Sequence, residues 1–162
     1  VLPLKNKIFR FAKRLMNIHA EAEDITQDVF VKLWNKKQDL QQVNSIEAYA
    51  MTVTKNVCLD KLKARKAIII ELLAYELPLQ AADPNDQAEI ANQRKLMNTI
   101  INNLPEQQKM IIQLREIEGY EFEEIATISD MNVNAVRVAL SRARKTIKEE
   151  LVKMYNYGLK AN

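Results

Sequence analysis

The chain has 162 residues, 48% of them hydrophobic and 28% charged, a balance that permits a packed core and excludes an intrinsically disordered chain. Its formal charge of +3 is too small to prove or exclude a nucleic-acid partner, so the distribution of the charges decides that question. The single cysteine, Cys58, excludes an internal disulfide framework and a cysteine-based zinc site and suits a reducing compartment such as the cytoplasm, and the longest apolar tract, Ala67 to Leu77, is broken by Glu71 and Glu76 and too short to span a bilayer.

With only 2 Gly and 4 Pro, and long tracts of Ala, Leu, Glu, Lys, Gln and Met, the fold is expected to be all-α, as one large module or two compact ones. The first predicted helix, Leu4 to Asn17, sets Ile8, Phe11, Ala12 and Leu15 among Lys5, Lys7, Lys13 and Arg14. The second runs from about Glu21 to Asn35 and turns Ala22, Ile25, Val29 and Leu33 inward, with early carboxylates where the helix dipole favours negative charge. A step of four from Phe30 reaches Trp34 on another face, with Gln27 and Val31 alongside. Two apolar faces mean either burial between neighbours or an external docking surface, and spacing alone does not separate these.

The polar stretch KKQDLQQVN, Lys36 to Asn44, precedes Ser45, a good N-cap for a long helix reaching about Lys66. Ile46, Ala50, Val53 and Val57 are expected inside it. Beyond Lys55 the helix turns basic, with Lys61, Lys63, Arg65 and Lys66 against Asp60, and Thr52, Asn56 and Leu59 share the face of Lys55 and Lys63. The pattern suits a surface that tracks phosphates and equally a solvated basic face with no ligand. From Ala67 to Pro84 the periodicity breaks: the apolar AIIIELLAYEL leads to Pro78 and AADPND, with helix-starting signals at Asp83 and Pro84. This marks a linker over 67–85, dividing an N-terminal domain over 1–66 from a C-terminal domain over 86–162; the pattern fixes no conformation for the apolar piece, 67–77.

In the C-terminal domain an amphipathic helix from Asp86 to Asn103 (Ile90, Leu96, Met97, Ile100, Ile101) is followed by one whose first turn holds Pro105 and which runs to about Ile117, with Gly119 as terminator. Residues Glu121 to Ser129 form a short helix with Phe122, Ile125 and Ala126 inward. Asp130, Met131 and Asn132 make a tight break before a helix from Val133 to about Met154, which is helix-turn-helix spacing. Val133, Val136, Leu140, Ala143, Ile147 and Leu151 recur as a buried stripe. Asn134, Arg137, Val138, Ser141, Arg142, Arg144, Lys145 and Lys148 lie outward, a set suited to base edges near the helix start and phosphates farther along.

At both ends the chain resembles the group IV, or extracytoplasmic-function, sigma factors of bacterial RNA polymerase. AEDITQDVFVKLW, Ala22 to Trp34, is similar to that family's polymerase-binding signature, and Leu104 to Leu151 to its C-terminal DNA-binding domain. The resemblance implies that Asp24, Gln27, Asp28, Phe30, Val31 and Trp34 dock on the clamp helices of the largest polymerase subunit, with the flap as a further contact. It implies that the segment from Gln38 to Asn44 captures a flipped base of the minus 10 element and that the helix after Ser45, with Lys55, Asn56, Lys63 and Lys66, holds the opened strand. Asn134, Arg137, Val138, Ser141 and Arg142 then read the minus 35 element, with Arg144 and Lys145 nearer the backbone. Ala139 stands where many members have Arg, and Ala135 where many have Thr, so promoter preference does not carry over from relatives. The start at Val1, short of the family's usual first residues, implies a shortened beginning.

The implied partners are core polymerase, promoter DNA and an anti-sigma factor, with no cofactor and no metal. Three rivals are a sigma mimic that binds only an anti-sigma protein, an enzyme using Glu21, Glu23, Asp24 and Asp28 beside His19 as a metal site, and a repressor that binds duplex DNA without polymerase. The first comes with a receiver domain for which there is no room; the second lacks a second histidine and a phosphate loop. The third is separated by adding core polymerase.

Overall fold

The computed structural model describes residues 2–73 and 89–160, which are helical apart from short connections, with no strand among them. Seven α-helices occur there: α1 (Leu2–Met16), α2 (His19–Asn35), α3 (Ile46–Leu73), α4 (Glu89–Asn102), α5 (Glu106–Ile112), α6 (Phe122–Ser129) and α7 (Val133–Lys160). A 3-10 turn, Asp39–Gln42, leads into α3, and a wide π turn, Gln113–Ile117, prolongs α5. The turn-like stretch from Pro78 to Asp86, with its signals at Asp83 and Pro84, lies outside the described residues.

Helix α1 ends where Asn17 enters the left-handed region at φ 59°, its N–H bonding the Lys13 carbonyl at 2.8 Å. The chain thereby doubles back, and α1 on α2 is the most extensive pairing in the fold. Ile8, Phe11, Ala12, Leu15 and Met16 meet Ala22, Ile25, Val29 and Leu33 in a core that these stripes predict.

Helix α3 departs from expectation in two ways. It continues through Leu73, so the first residues of the segment read as a linker are helical. Its buried stripe is also rotated: Ala50, Met51, Thr54 and Cys58 are inside, Val53 and Val57 are half-buried, and Ile46 is exposed. The reason is that α3 packs against α1, α2 and α6 together, so its inward arc is wider than one stripe.

The expected single helix from Pro105 to Ile117 is α5 plus the π turn, in which the Glu118 N–H bonds the Gln113 carbonyl at 3.0 Å. Gly119 then takes φ 77°, a conformation that costs any side-chain-bearing residue, and redirects the chain into α6. Helix α7 runs on to Lys160, beyond the Met154 expected. Its stripe of Val136, Leu140 and Ala143 packs on α5 and α6 with Ile111, Leu114, Ile125 and Ile128, and the buried cluster is continuous with that of α1 to α3.

Candidate nucleic-acid interface and docking face

The corner between α6 and α7 is built from local hydrogen bonds. Glu121 and Glu124 form a capping box, the Glu124 carboxylate accepting the Glu121 N–H at 2.9 Å. Asp130 ends α6 at φ 56°, the Met131 N–H bonds the Ala126 carbonyl at 3.0 Å, and Asn132 Oδ1 accepts the Ala135 N–H at 2.7 Å to cap α7. With Ile125, Ile128, Val136 and Leu140 buried, the outer side of α7 faces water, and Asn134, Arg137, Val138, Ser141, Arg142, Arg144 and Lys145 are all exposed. The structure brings these seven together on one helix. Ala139, by contrast, is 5% exposed, so the departure from Arg falls on the inward side.

Two of the arginines already have internal partners. The guanidiniums of Arg115 and Arg137 lie 4.7 and 5.1 Å from the centroid of the Phe122 ring, and Arg144 Nε donates to Glu116 Oε1 at 2.8 Å. Contacts between residues so far apart in the chain leave no periodic trace in the sequence.

On α2 the second face is open to solvent. Asp24, Gln27, Asp28, Val31 and Trp34 are exposed, Trp34 at 70% and Val31 at 58%, while Phe30 is half-buried against the core and supports them from beneath. Lys37 Nζ stands 4.6 Å from the Trp34 ring centroid. Burial of this face between helices within the chain is therefore ruled out.

The minus 10 set is divided. Gln38 and Asn44 flank the 3-10 turn and are exposed, and Ser45 Oγ accepts the Ala48 N–H at 3.1 Å, capping α3 as expected. Asn56, Lys63 and Lys66 are exposed. Lys55 is not: at 6% exposure its stem lies inside the wide buried arc of α3, so it does not share the solvent face of Lys63. The acidic group at the start of α2 does not gather either. Glu21 pairs with Arg65, His19 Nε2 lies 3.3 Å from Glu23, and no group of three or more potential metal ligands is found among the described residues.

A polar network between the two halves escaped the sequence reading. Arg10 donates bidentately to Glu118, from Nε to Oε1 at 2.9 Å and from Nη2 to Oε2 at 2.7 Å, and the Glu118 side chain is only 1% exposed. Arg14 donates to Gln113 Oε1, Asn102 Oδ1 and Asn98 Oδ1 at 2.9, 2.8 and 3.0 Å. Glu47 Oε1 accepts from Lys7 Nζ at 2.6 Å and from the Tyr120 hydroxyl at 2.7 Å. The Lys7 bond and then the Tyr120 bond hold the Glu47 carboxyl below the usual carboxylate range, while burial and Glu47 push the Tyr120 phenol up. Hydrogen bonding to Glu118 raises Arg10, whereas burial lowers Arg14, whose acceptors are all neutral amides.

Beside this network a cleft of about 1170 Å³ opens between α1, α4, the π turn and α7. Met97, Ile101 and Ile147 line its floor, and Lys13, Arg94 and Lys148 its rim.

Two family models match, "Sigma-70 region 2" over residues 1–68 and "Sigma-70, region 4" over residues 94–147. Among curated relatives, the ECF RNA polymerase sigma factor SigE of Mycolicibacterium smegmatis is 28% identical over 91% of the chain, and the probable RNA polymerase sigma factor RfaY of Xanthomonas campestris pv. campestris is 27% identical over 96%. The chain spans 58% and 40% of the lengths of these two relatives. The fold is similar to that of the sigma factor RpoE of Bartonella quintana, solved in complex with the anti-sigma factor NepR, with a TM-score of 0.76, 23% identity and coverage of 93% of this chain and 92% of that one.

Proposed function

The chain belongs to the sigma-70 family of RNA polymerase sigma factors, in its extracytoplasmic-function group, and from that premise we propose that it directs core polymerase to promoters in an extracytoplasmic or stress response. The observation that carries this reading is the pairing, in one chain, of an uncovered aromatic face on α2 with a solvent-facing cationic reading helix behind a helix-turn-helix corner. The first meets the clamp helices through Trp34, Val31, Gln27, Asp24 and Asp28, seated on Phe30. The second enters the major groove of the minus 35 element with Arg137, Ser141 and Arg142 at base edges and Arg144 and Lys145 on phosphates. Base contact by Arg137 requires it to leave the Phe122 ring, and phosphate contact by Arg144 competes with Glu116.

Region 2, over 1–66, captures the opened minus 10 strand with Gln38, Asn44, Asn56, Lys63 and Lys66, Ser45 fixing the start of α3. Region 4, over 86–162, reads the minus 35 element and meets the flap. The chain performs no chemistry of its own and works beside polymerase in the cytoplasm; no helix among the described residues is long and apolar enough to cross a membrane. An anti-sigma factor is the fitting regulator. The basic rim and apolar floor of the cleft suit an acidic amphipathic helix, and the structural relative from Bartonella was solved with such a regulator.

The test is run-off transcription with core polymerase on genomic promoter fragments. Discrete transcripts that need the chain are expected. Duplex binding without any effect on initiation would favour a repressor.

A further inference from the structure

The two promoter elements lie 25 positions apart by name, which is ~85 Å of duplex at ~3.4 Å per base pair. In the structure α6 rests directly on α3. Helix α6 has 8 residues and reaches ~12 Å, and three further residues lead to Val133, so the reading helix begins within a few tens of Å of the strand-holding helix. The two surfaces as packed here do not reach both elements together. We propose that this packing is a built-in autoinhibitory closure, held by a charged latch across the halves, and that the halves must part before the chain grips a promoter. The proposal rests on the sigma-factor reading above.

The composition of the junction is what makes it a latch. At its rim Arg10 meets Glu118, Arg14 meets three amide oxygens, Tyr120 meets Glu47, and Asn102 Nδ2 donates to Asn17 Oδ1 at 3.2 Å. Each of these groups is well solvated by water once released, so parting the halves returns them to solvent without stranding a buried charge. The Arg10 to Glu118 pair is the most exacting element. With its side chain 1% exposed, Glu118 takes its one cation from Arg10, alongside a bond from Gln113 Nε2 at 3.1 Å. Removing or reversing Arg10 leaves that carboxylate uncompensated only while the halves are closed, which favours the open form.

The experiment uses the full chain in three forms: parent, Arg10→Glu, and the charge swap Arg10→Glu with Glu118→Arg. Small-angle scattering reads closure. A compact chain of this length has a radius of gyration of ~15 to 18 Å, and Arg10→Glu is expected to add several Å, with the swap returning it to the parent value. Circular dichroism checks that helix content is retained, as expected for a side chain that is 47% exposed. Run-off transcription reads the consequence: Arg10→Glu reaches half-maximal transcription at a concentration at least ~3-fold lower than the parent, because a larger fraction is competent, and the swap restores the parent value. No expansion in Arg10→Glu overturns the latch. Expansion without a lower half-maximal concentration overturns autoinhibition. Absence of specific transcripts from all three forms sinks the sigma-factor reading, while scattering still decides whether the latch exists.

Discussion

Replacing Trp34 with alanine separates docking from folding more sharply than any other single change. About three tenths of the residue is covered in the free chain, since its exposure is 70%. For a side chain of ~200 Å², the covered part is ~60 Å², worth ~1.5 kcal/mol at ~25 cal/mol per Å², and the better helix propensity of alanine returns ~0.5 kcal/mol. Loss of the Lys37 contact at 4.6 Å adds little at so exposed a site. Trp34→Ala should therefore cost ~1 kcal/mol of stability, a fall of a few degrees in Tm. On docking, the remaining ~140 Å² is covered, worth up to ~3.5 kcal/mol, so the Kd for core polymerase should rise up to a few hundred-fold. Ile25→Ala on the opposite face is the control. At 0% exposure it should cost ~2 to 5 kcal/mol of stability and reduce docking only in proportion to the unfolded fraction. Urea denaturation and fluorescence anisotropy with labelled core, in one buffer, measure both quantities. If Trp34→Ala binds core within ~3-fold of the parent, the outer face of α2 is not the docking surface.

The reading helix, its cap, the buried thiol and the Glu47 junction each give a further prediction. Arg142→Glu should weaken minus 35 duplex binding by at least ~10-fold, from ~1 to 3 kcal/mol for one base contact, while leaving core binding unchanged; anisotropy at fixed salt decides. Asn132→Ala should lower stability by ~1 kcal/mol through loss of the α7 cap, read by chemical denaturation. Burial first, then the carboxylates of Glu106 and Glu21 outweighing nothing more than a modest opposing pull from Lys61, leave the Cys58 thiol pushed up to about 12, so a thiol reagent at pH 8 should modify it only as the protein unfolds. The Glu47 carboxyl is depressed in the folded protein, so its contribution is present above its ordinary value of 4.5 and is lost as pH falls through the lower folded value. The stability difference between the parent and Glu47→Gln should thus be full at pH 7 and fade in acid, as followed by denaturation at several pH values.

What the sequence made legible was local and periodic. The stripes of α1, α2 and α7, the helix-turn-helix spacing, the Ser45 cap and the stop at Gly119 all follow from spacing and side-chain type within a few residues. Lys55 was misplaced because a single stripe was assumed for a helix that packs against three neighbours. The second face of α2 was ambiguous because periodicity describes two apolar sides without naming what covers them; the structure leaves that face uncovered. Arg10 with Glu118, and Tyr120 with Glu47, are separated by 108 and 73 residues, and such pairs leave no mark on either local segment. The π turn was likewise hidden, since Gln113 to Ile117 has the composition of an ordinary helix end.

The most direct test of the central claim is equilibrium binding of the purified chain to core RNA polymerase at moderate salt. Saturable 1:1 binding that Trp34→Ala weakens and Arg142→Glu leaves intact is the predicted result. No measurable affinity for core, even with tight duplex binding through α7, would contradict it.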